Sequence, residues 1–184
     1  MQIEETPLKD CYILKPKIWN DTRGFFFENY NKITFEKLTG LKTDFVQDNL
    51  AFSNYGAIRG LHMQLPPYSQ AKLVYCVQGR IMDVAVDVRK NSPTFGKSFA
   101  IELTEENRYQ LFVPKGFLHG YSVLSETALV GYKCDDFYNK DSESGINPLD
   151  KTLQIDWGIP TEKQLISEKD QEAISFLELP EIIL

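Results

Sequence analysis

Histidine is scarce in this chain: His62 and His119 are the only two in 184 residues. Cysteine is scarce too. Cys11, Cys76 and Cys134 are odd in number, lie far apart and form no Cys-x-x-Cys pair, so they suggest no disulfide framework. Cys76 and Cys134 sit in apolar strand-like runs and read as buried, reduced thiols, which makes the cytoplasm the expected compartment. No window approaches the roughly 18 apolar residues of a membrane span. The opening stretch MQIEETPLKDCYIL has early acids and no apolar core, so it does not read as a signal peptide. Lysine and arginine form no run, and the formal net charge is −6. That balance argues against a nucleic-acid partner or an anionic membrane surface. Neither GxGxxG nor GxxxxGK[ST] occurs, so no dinucleotide or phosphate-cradling loop is indicated. Internal repeats, low-complexity tracts and linkers are also missing.

What is present is strand signal. With 42% hydrophobic and 25% charged residues the chain reads as an ordinary globular one, expected to form a single domain over 1–184. Residues 80–88 (RIMDVAVDV) alternate. Met82, Val84, Val86 and Val88 share a face expected to be core, and Ile81, Asp83, Ala85 and Asp87 share the other. Residues 71–78 precede Gly79-Arg80, which reads as the turn of a hairpin. Further extended runs lie at 11–18, 25–30, 43–52, 57–65, 97–103, 109–113, 119–124 and 127–134. Many short strands with Gly, Pro, Asn and Ser between them predict an all-β sandwich or barrel. Two short helices are expected, about 31–39 capped by Asn31 and about 167–173 capped by Ser167. The segment from about 150 to 184 has weaker periodicity and is expected to wrap over the barrel.

Each histidine sits in its own signature. His62 ends Arg59-Gly60-Leu61-His62, ten residues before Lys72, and His119 ends Pro114-Lys115-Gly116-Phe117-Leu118-His119. Gly56-x5-His62, then Lys72-x6-Gly79, then Pro114-x-Gly116-x2-His119, resembles the paired motifs of the cupin superfamily, whose members are double-sheet jelly rolls. Metal-binding cupins place a second histidine where this chain has Gln64 and a glutamate where it has Lys72. A cation within a ligand shell repels a metal ion, so the expectation is no metal.

A narrower resemblance runs in register from about residue 8 to about 172. It is carried by Asp21-x-Arg23-Gly24-Phe25-Phe26-x-Glu28, Phe45-Val46-Gln47-Asp48-Asn49, Arg59-Gly60-Leu61-His62-x-Gln64, Lys72-Leu73-Val74 and Asp83-Val84-Ala85-Val86-Asp87-Val88-Arg89. Ser92-Pro93-Thr94-Phe95-Gly96, Gly116-Phe117-x-His119-Gly120 and Ser167-Glu168-Lys169-Asp170 complete it. These segments resemble the dTDP-4-dehydrorhamnose 3,5-epimerase family of nucleotide-sugar epimerases. Small departures occur at Met63, at Gln70-Ala71-Lys72 and at Ile146-Asn147-Pro148-Leu149-Asp150.

The resemblance implies inversion of C3 and C5 of dTDP-4-keto-6-deoxyglucose, with no cofactor, in dTDP-L-rhamnose biosynthesis. Both carbons flank the C4 carbonyl, so a base can remove a proton to give an enolate and an acid can return one from the other face. It further implies that His62 is the base, that Lys72 stabilises the enolate oxygen and that Tyr132 is the acid. The carboxylate that holds the other nitrogen of His62 would be Asp170, with Asp83 an alternative. Read on its own, Asp170 is a first-turn helix acid favoured by the dipole. Arg23 and Arg59 suit a pyrophosphate, because a guanidinium meets phosphate bidentately. Phe26, Glu28, Gln47, Asn49 and His119 match sugar- and nucleotide-contacting positions. Tyr138 matches an aromatic that stacks on thymine, and Glu143 and Lys169 complete the set. His119 reads equally as a second base or as a structural residue. The family is dimeric, with an N-terminal segment crossing to its partner, so a homodimer is expected. A mono-epimerase of another 4-keto nucleotide sugar and a non-catalytic sugar-binding cupin are the alternatives.

Overall fold

The computed structural model describes residues 1–184. The first half contains β1 (Gln2–Glu5), β2 (Tyr12–Lys15), β3 (Ile18–Asp21), β4 (Gly24–Phe27), α1 (Lys32–Thr39), β5 (Gln47–Asn54), β6 (Ala57–Gln64), β7 (Lys72–Gln78) and β8 (Arg80–Asp87). Then follow β9 (Ser98–Thr104), β10 (Gln110–Val113), β11 (Phe117–Val123), β12 (Thr127–Cys134), β13 (Glu143–Gly145), β14 (Leu165–Ile166) and α2 (Glu168–Gln171). One sheet runs β1-β2-β10-β7-β12-β5. The other runs β13-β6-β11-β8-β9, with β14 pairing onto β6. The two face each other as the double-sheet jelly roll that the cupin resemblance implies, within the all-β class expected from the strand pattern.

Both helices start where the sequence caps them. The Asn31 side chain accepts from the Thr34 N–H at 3.0 Å, and the Ser167 Oγ accepts from the Asp170 N–H at 3.2 Å. No helix is long and apolar enough to cross a membrane. The expected run 11–18 divides into β2 and β3, because Pro16 lacks a donor and interrupts the ladder. β1 has no counterpart among the expected strands.

Two corrections concern β7 and β8. They are not a hairpin: β7 pairs with β10 and β12, whereas β8 pairs with β11 and β9 in the opposite sheet. Gly79, at φ +81°, carries the chain between the sheets, and a Cβ there would lie 2.2 Å from the Thr127 carbonyl oxygen. The faces of β8 are also reversed from expectation. Ile81 and Ala85 point between the sheets, where they join Ile13, Val74, Leu111 and Val130. Val84, Val86 and Val88 pack on the outer side, under Trp157 and Ile182 from the C-terminal segment. Periodicity shows that a strand has two faces; which one is interior depends on what covers the other. On the outer face of the first sheet, Phe35 of α1 packs on Leu14, Leu73 and Phe112.

Candidate active site

A bulge explains the spacing in Arg59-Gly60-Leu61-His62. Residues three apart on a regular strand point to opposite faces. Across β6 and β11, His62 is opposite His119 and Arg59 is opposite Tyr121, so Gly60 and Leu61 together face Gly120 alone. This two-against-one step returns Arg59 to the same inward face as His62. The glycines allow it: at Gly60, φ is +124° and a Cβ would lie 2.5 Å from the Gly120 Cα.

The bulged strands line a cleft of about 770 Å³, within the range that holds a small molecule. His62, His119, Arg59 and Tyr121 enter it from the second sheet, and Lys72 and Tyr132 from the first. Leu165, Ser167, Lys169 and Asp170 close one side. β14 lies parallel to the start of β6, at Ala57 and Ile58, and this pairing delivers the short α2 to the cleft.

Each histidine has its own carboxylate. His62 Nε2 lies 2.6 Å from Asp170 Oδ1, and His119 Nε2 lies 2.8 Å from Asp83 Oδ1. The choice between Asp170 and Asp83 for His62 is thereby resolved: both carboxylates are used, one per ring. The His62 side chain is 34% exposed and that of His119 only 8%. The first dyad is therefore open to a ligand, and the second lies deeper. A carboxylate on one nitrogen fixes the ring and its tautomer, leaving the other nitrogen for proton transfer.

The opposite wall differs in chemistry. Lys72 sits across from Cys134 in the β7–β12 ladder, and burial pulls its ammonium below the ordinary lysine pKa. Burial pushes the Tyr132 phenol up, so it holds its proton. A histidine–carboxylate dyad thus faces a phenol and a lysine side chain across one cleft.

Gln47, Asn49, Tyr138 and Glu143 do not line the cleft themselves, but a polar chain connects them to Lys169, which does. Gln47 Nε2 donates to Asn49 Oδ1 at 3.0 Å, and the Tyr138 N–H donates to Gln47 Oε1 at 3.2 Å. The Tyr138 hydroxyl donates to Glu143 Oε2 at 3.0 Å, and Lys169 Nζ pairs with the same oxygen at 2.7 Å. The Lys169 ammonium holds the Glu143 carboxyl below its usual range. Gln64, at the second-histidine position of the cupin motif, is occupied structurally: its Oε1 accepts from the Asn139 N–H at 2.9 Å. Arg59 donates from Nε to Ser53 Oγ at 2.9 Å.

Arg23, Phe26 and Glu28 do not line this cleft. They lie on or just after the separate β3–β4 ribbon, where Arg23 pairs with Asp21 at 2.6 Å and Glu28 accepts from Asn31. One ribbon face is anchored, with the Arg108 guanidinium 3.8 Å from the Phe25 ring centre. The other face exposes Trp19 and Phe26, whose rings are 6.0 Å apart. Among the polar residues that escaped the sequence reading are Tyr121, which lines the cleft, and Ser53, which lies behind Arg59. Tyr121 was legible as the residue two beyond His119 on the same strand face. Ser53 carried no signal, since only the packing of β5 against Arg59 brings it in.

A family model described as dTDP-4-dehydrorhamnose 3,5-epimerase matches residues 5–178. An enzyme of that name from Shigella flexneri is 47% identical over 178 residues, covering 97% of each chain. The crystal structure of one from Elizabethkingia anophelis superposes with a TM-score of 0.94 at 54% identity, again covering 97% of each chain. A dTDP-6-deoxy-D-glucose-3,5-epimerase from Legionella pneumophila, solved with dTDP-4-keto-L-rhamnose, gives 0.93 at 42% identity, covering 97% of this chain and 94% of that one. The match in sequence is nearly end to end and the match in backbone is as complete, so the chain belongs to the dTDP-4-dehydrorhamnose 3,5-epimerase family.

Proposed function

We propose that this protein inverts C3 and C5 of dTDP-4-keto-6-deoxy-D-glucose to give dTDP-4-keto-L-rhamnose, in the biosynthesis of dTDP-L-rhamnose. The observation that carries this reading is the opposition of two walls. The His62–Asp170 dyad stands on one sheet, and Tyr132 and Lys72 stand on the other. Inversion at a carbon requires proton removal from one face and return to the other, which is what opposed walls supply.

In this reading His62 takes the proton α to the C4 carbonyl while Asp170 holds the ring and stabilises the imidazolium. The Lys72 ammonium stabilises the enolate oxygen as its charge develops, where electrostatic stabilisation acts on the barrier. Tyr132 gives its proton from the far side. The same sequence serves C3 and C5, because both carbons flank the one carbonyl. The chemistry consumes no oxidant and asks for no cofactor or metal. Arg59 and His119 hold the sugar and its phosphates, and Gln47, Asn49, Tyr138, Glu143 and Lys169 form the nucleotide rim.

The reading includes a homodimer. Arg23, Phe26 and Glu28 stand on an exposed ribbon away from their own cleft, which suits delivery to the cleft of a partner protomer. A single globular domain over 1–184 and a cytoplasmic location complete the reading, the second supported by three buried free thiols.

The test is proton NMR of dTDP-4-keto-6-deoxyglucose with the enzyme in heavy water. Deuterium entering at both C3 and C5, and a rhamnose-configured product once a ketoreductase is added, is the expected result. Exchange at one carbon only would replace the reading with a mono-epimerase, and exchange at neither would reject it.

A further inference from the structure

Tyr121 is 5% exposed, yet its hydroxyl has no hydrogen-bond partner in the protein. Its side chain lines the cleft. A buried hydroxyl left unpaired costs free energy unless something outside the protein pairs with it. Its neighbours indicate what that is. Tyr121 lies directly across the bulged ladder from Arg59, and Arg59 is tied to Ser53 at 2.9 Å. This end of the cleft therefore carries a guanidinium and a phenol, both of which can donate to an oxyanion.

Position along the strand sharpens the match. Tyr121 is two residues beyond His119, an offset of about 7 Å along β11. The His62–His119 rung holds the reacting hexose in the reading above, so the Arg59–Tyr121 rung falls where the phosphate on the anomeric carbon would lie. The bulge at Gly60, Leu61 and Gly120 sits between the two rungs and keeps both facing inward. Without it Arg59 and Tyr121 could not share one pocket wall with His62.

Resting on that reading of the site, we infer that the Tyr121 hydroxyl is a substrate contact, donating to the phosphate next to the sugar alongside Arg59. It touches no reacting carbon, so its loss weakens binding and leaves the chemical step alone. It also leaves an unpaired polar atom in the free enzyme, so Tyr121→Phe relieves a cost there while removing a bond in the complex.

The experiment is calorimetric titration of wild type and Tyr121→Phe with dTDP and with dTMP, beside thermal unfolding and steady-state kinetics. The expected result is a dTDP Kd and a substrate KM raised about 10-fold or more, with dTMP affinity changed far less. kcat should stay within about 3-fold of wild type, and the Tm of the free enzyme should be equal or higher. Unchanged dTDP affinity would overturn the inference. So would equal losses for dTDP and dTMP, or a lower Tm accompanying the weaker binding, since that would mark a structural hydroxyl. Titration with dTDP needs no turnover. A failed epimerase assay would therefore reject the proposed reaction while leaving the Tyr121 contact to be judged on binding alone.

Discussion

Two aspartates on β8 are chemically identical, fully buried and four residues apart, yet their surroundings are opposite. Asp87 is saturated. Arg89 reaches it from Nε at 3.0 Å and from Nη2 at 2.8 Å, Ser92 and Thr94 donate at 2.5 and 2.7 Å, and the Arg89 N–H adds a bond at 3.0 Å. Asp10 then caps the same guanidinium at 3.0 Å. Asp83 has a single partner, His119, and its Oδ2 has none. The first carboxylate ties the N-terminal loop and the turn after β8 to the barrel. The second lies behind His119, which lines the cleft, and keeps one oxygen unpaired. A satisfied buried network stabilises and fixes a fold; unspent polar atoms beside a cavity mark where a ligand completes the structure.

The comparison can be broken most forcefully at Asp87. Replacing it with asparagine removes the nearer of Arg89's two carboxylate partners, leaving Asp10 at 3.0 Å, and should cost about 2–3 kcal/mol, or roughly 4–12 °C in Tm. Activity per folded molecule should be unchanged. Thermal unfolding followed by an assay well below the transition checks both halves. Asp83→Asn should show the reverse pattern, with kcat/KM down about 10-fold as His119 loses its fixed tautomer and Tm moved by no more than about 4 °C.

Acid sharpens the contrast further. Burial works against the Asp87 anion, but the bonds from Arg89, Ser92 and Thr94 prevail and hold its carboxyl below the ordinary value. A depressed folded pKa contributes stability that is complete above the unfolded value of about 3.9 and is lost as pH falls through the folded one. The Tm gap between wild type and Asp87→Asn should therefore be full at neutral pH and narrow below about pH 4.

The smallest effect belongs to the cleft's opposite wall. Burial lowers the Lys72 pKa and raises that of Tyr132, so the alkaline limb of kcat should report Lys72 losing its charge below the ordinary lysine pKa of about 10.4. Lys72→Arg should move that limb to higher pH while the acid limb stays in place.

Much of this was legible in the sequence. The alternation and turn punctuation predicted an all-β sandwich or barrel, the resemblance narrowed it to a jelly roll, and Asn31 and Ser167 placed both helix starts. The resemblance selected His62, Lys72, Tyr132 and Asp170, which the fold brings to one cleft. What escaped depended on contacts distant in sequence. The hairpin expected at Gly79 failed because local turn chemistry cannot say whether the next strand stays in the same sheet. The interior face of β8 was misjudged because Val84, Val86 and Val88 are buried by the C-terminal segment rather than by the opposite sheet. The His62–Asp170 pair was named from the resemblance, but the second pair, His119 with Asp83, escaped because nothing local shows that β8 and β11 lie side by side.

The central claim is a division of labour between the two walls, with the base on one sheet and the acid on the other. It is tested most directly by following deuterium entry and product configuration for His62→Ala and Tyr132→Phe side by side in heavy water. The account predicts no deuterium at C3 or C5 with His62→Ala, and deuterium entry without full inversion with Tyr132→Phe. Exchange at the wild-type rate in His62→Ala, or a fully inverted product from Tyr132→Phe, would contradict it.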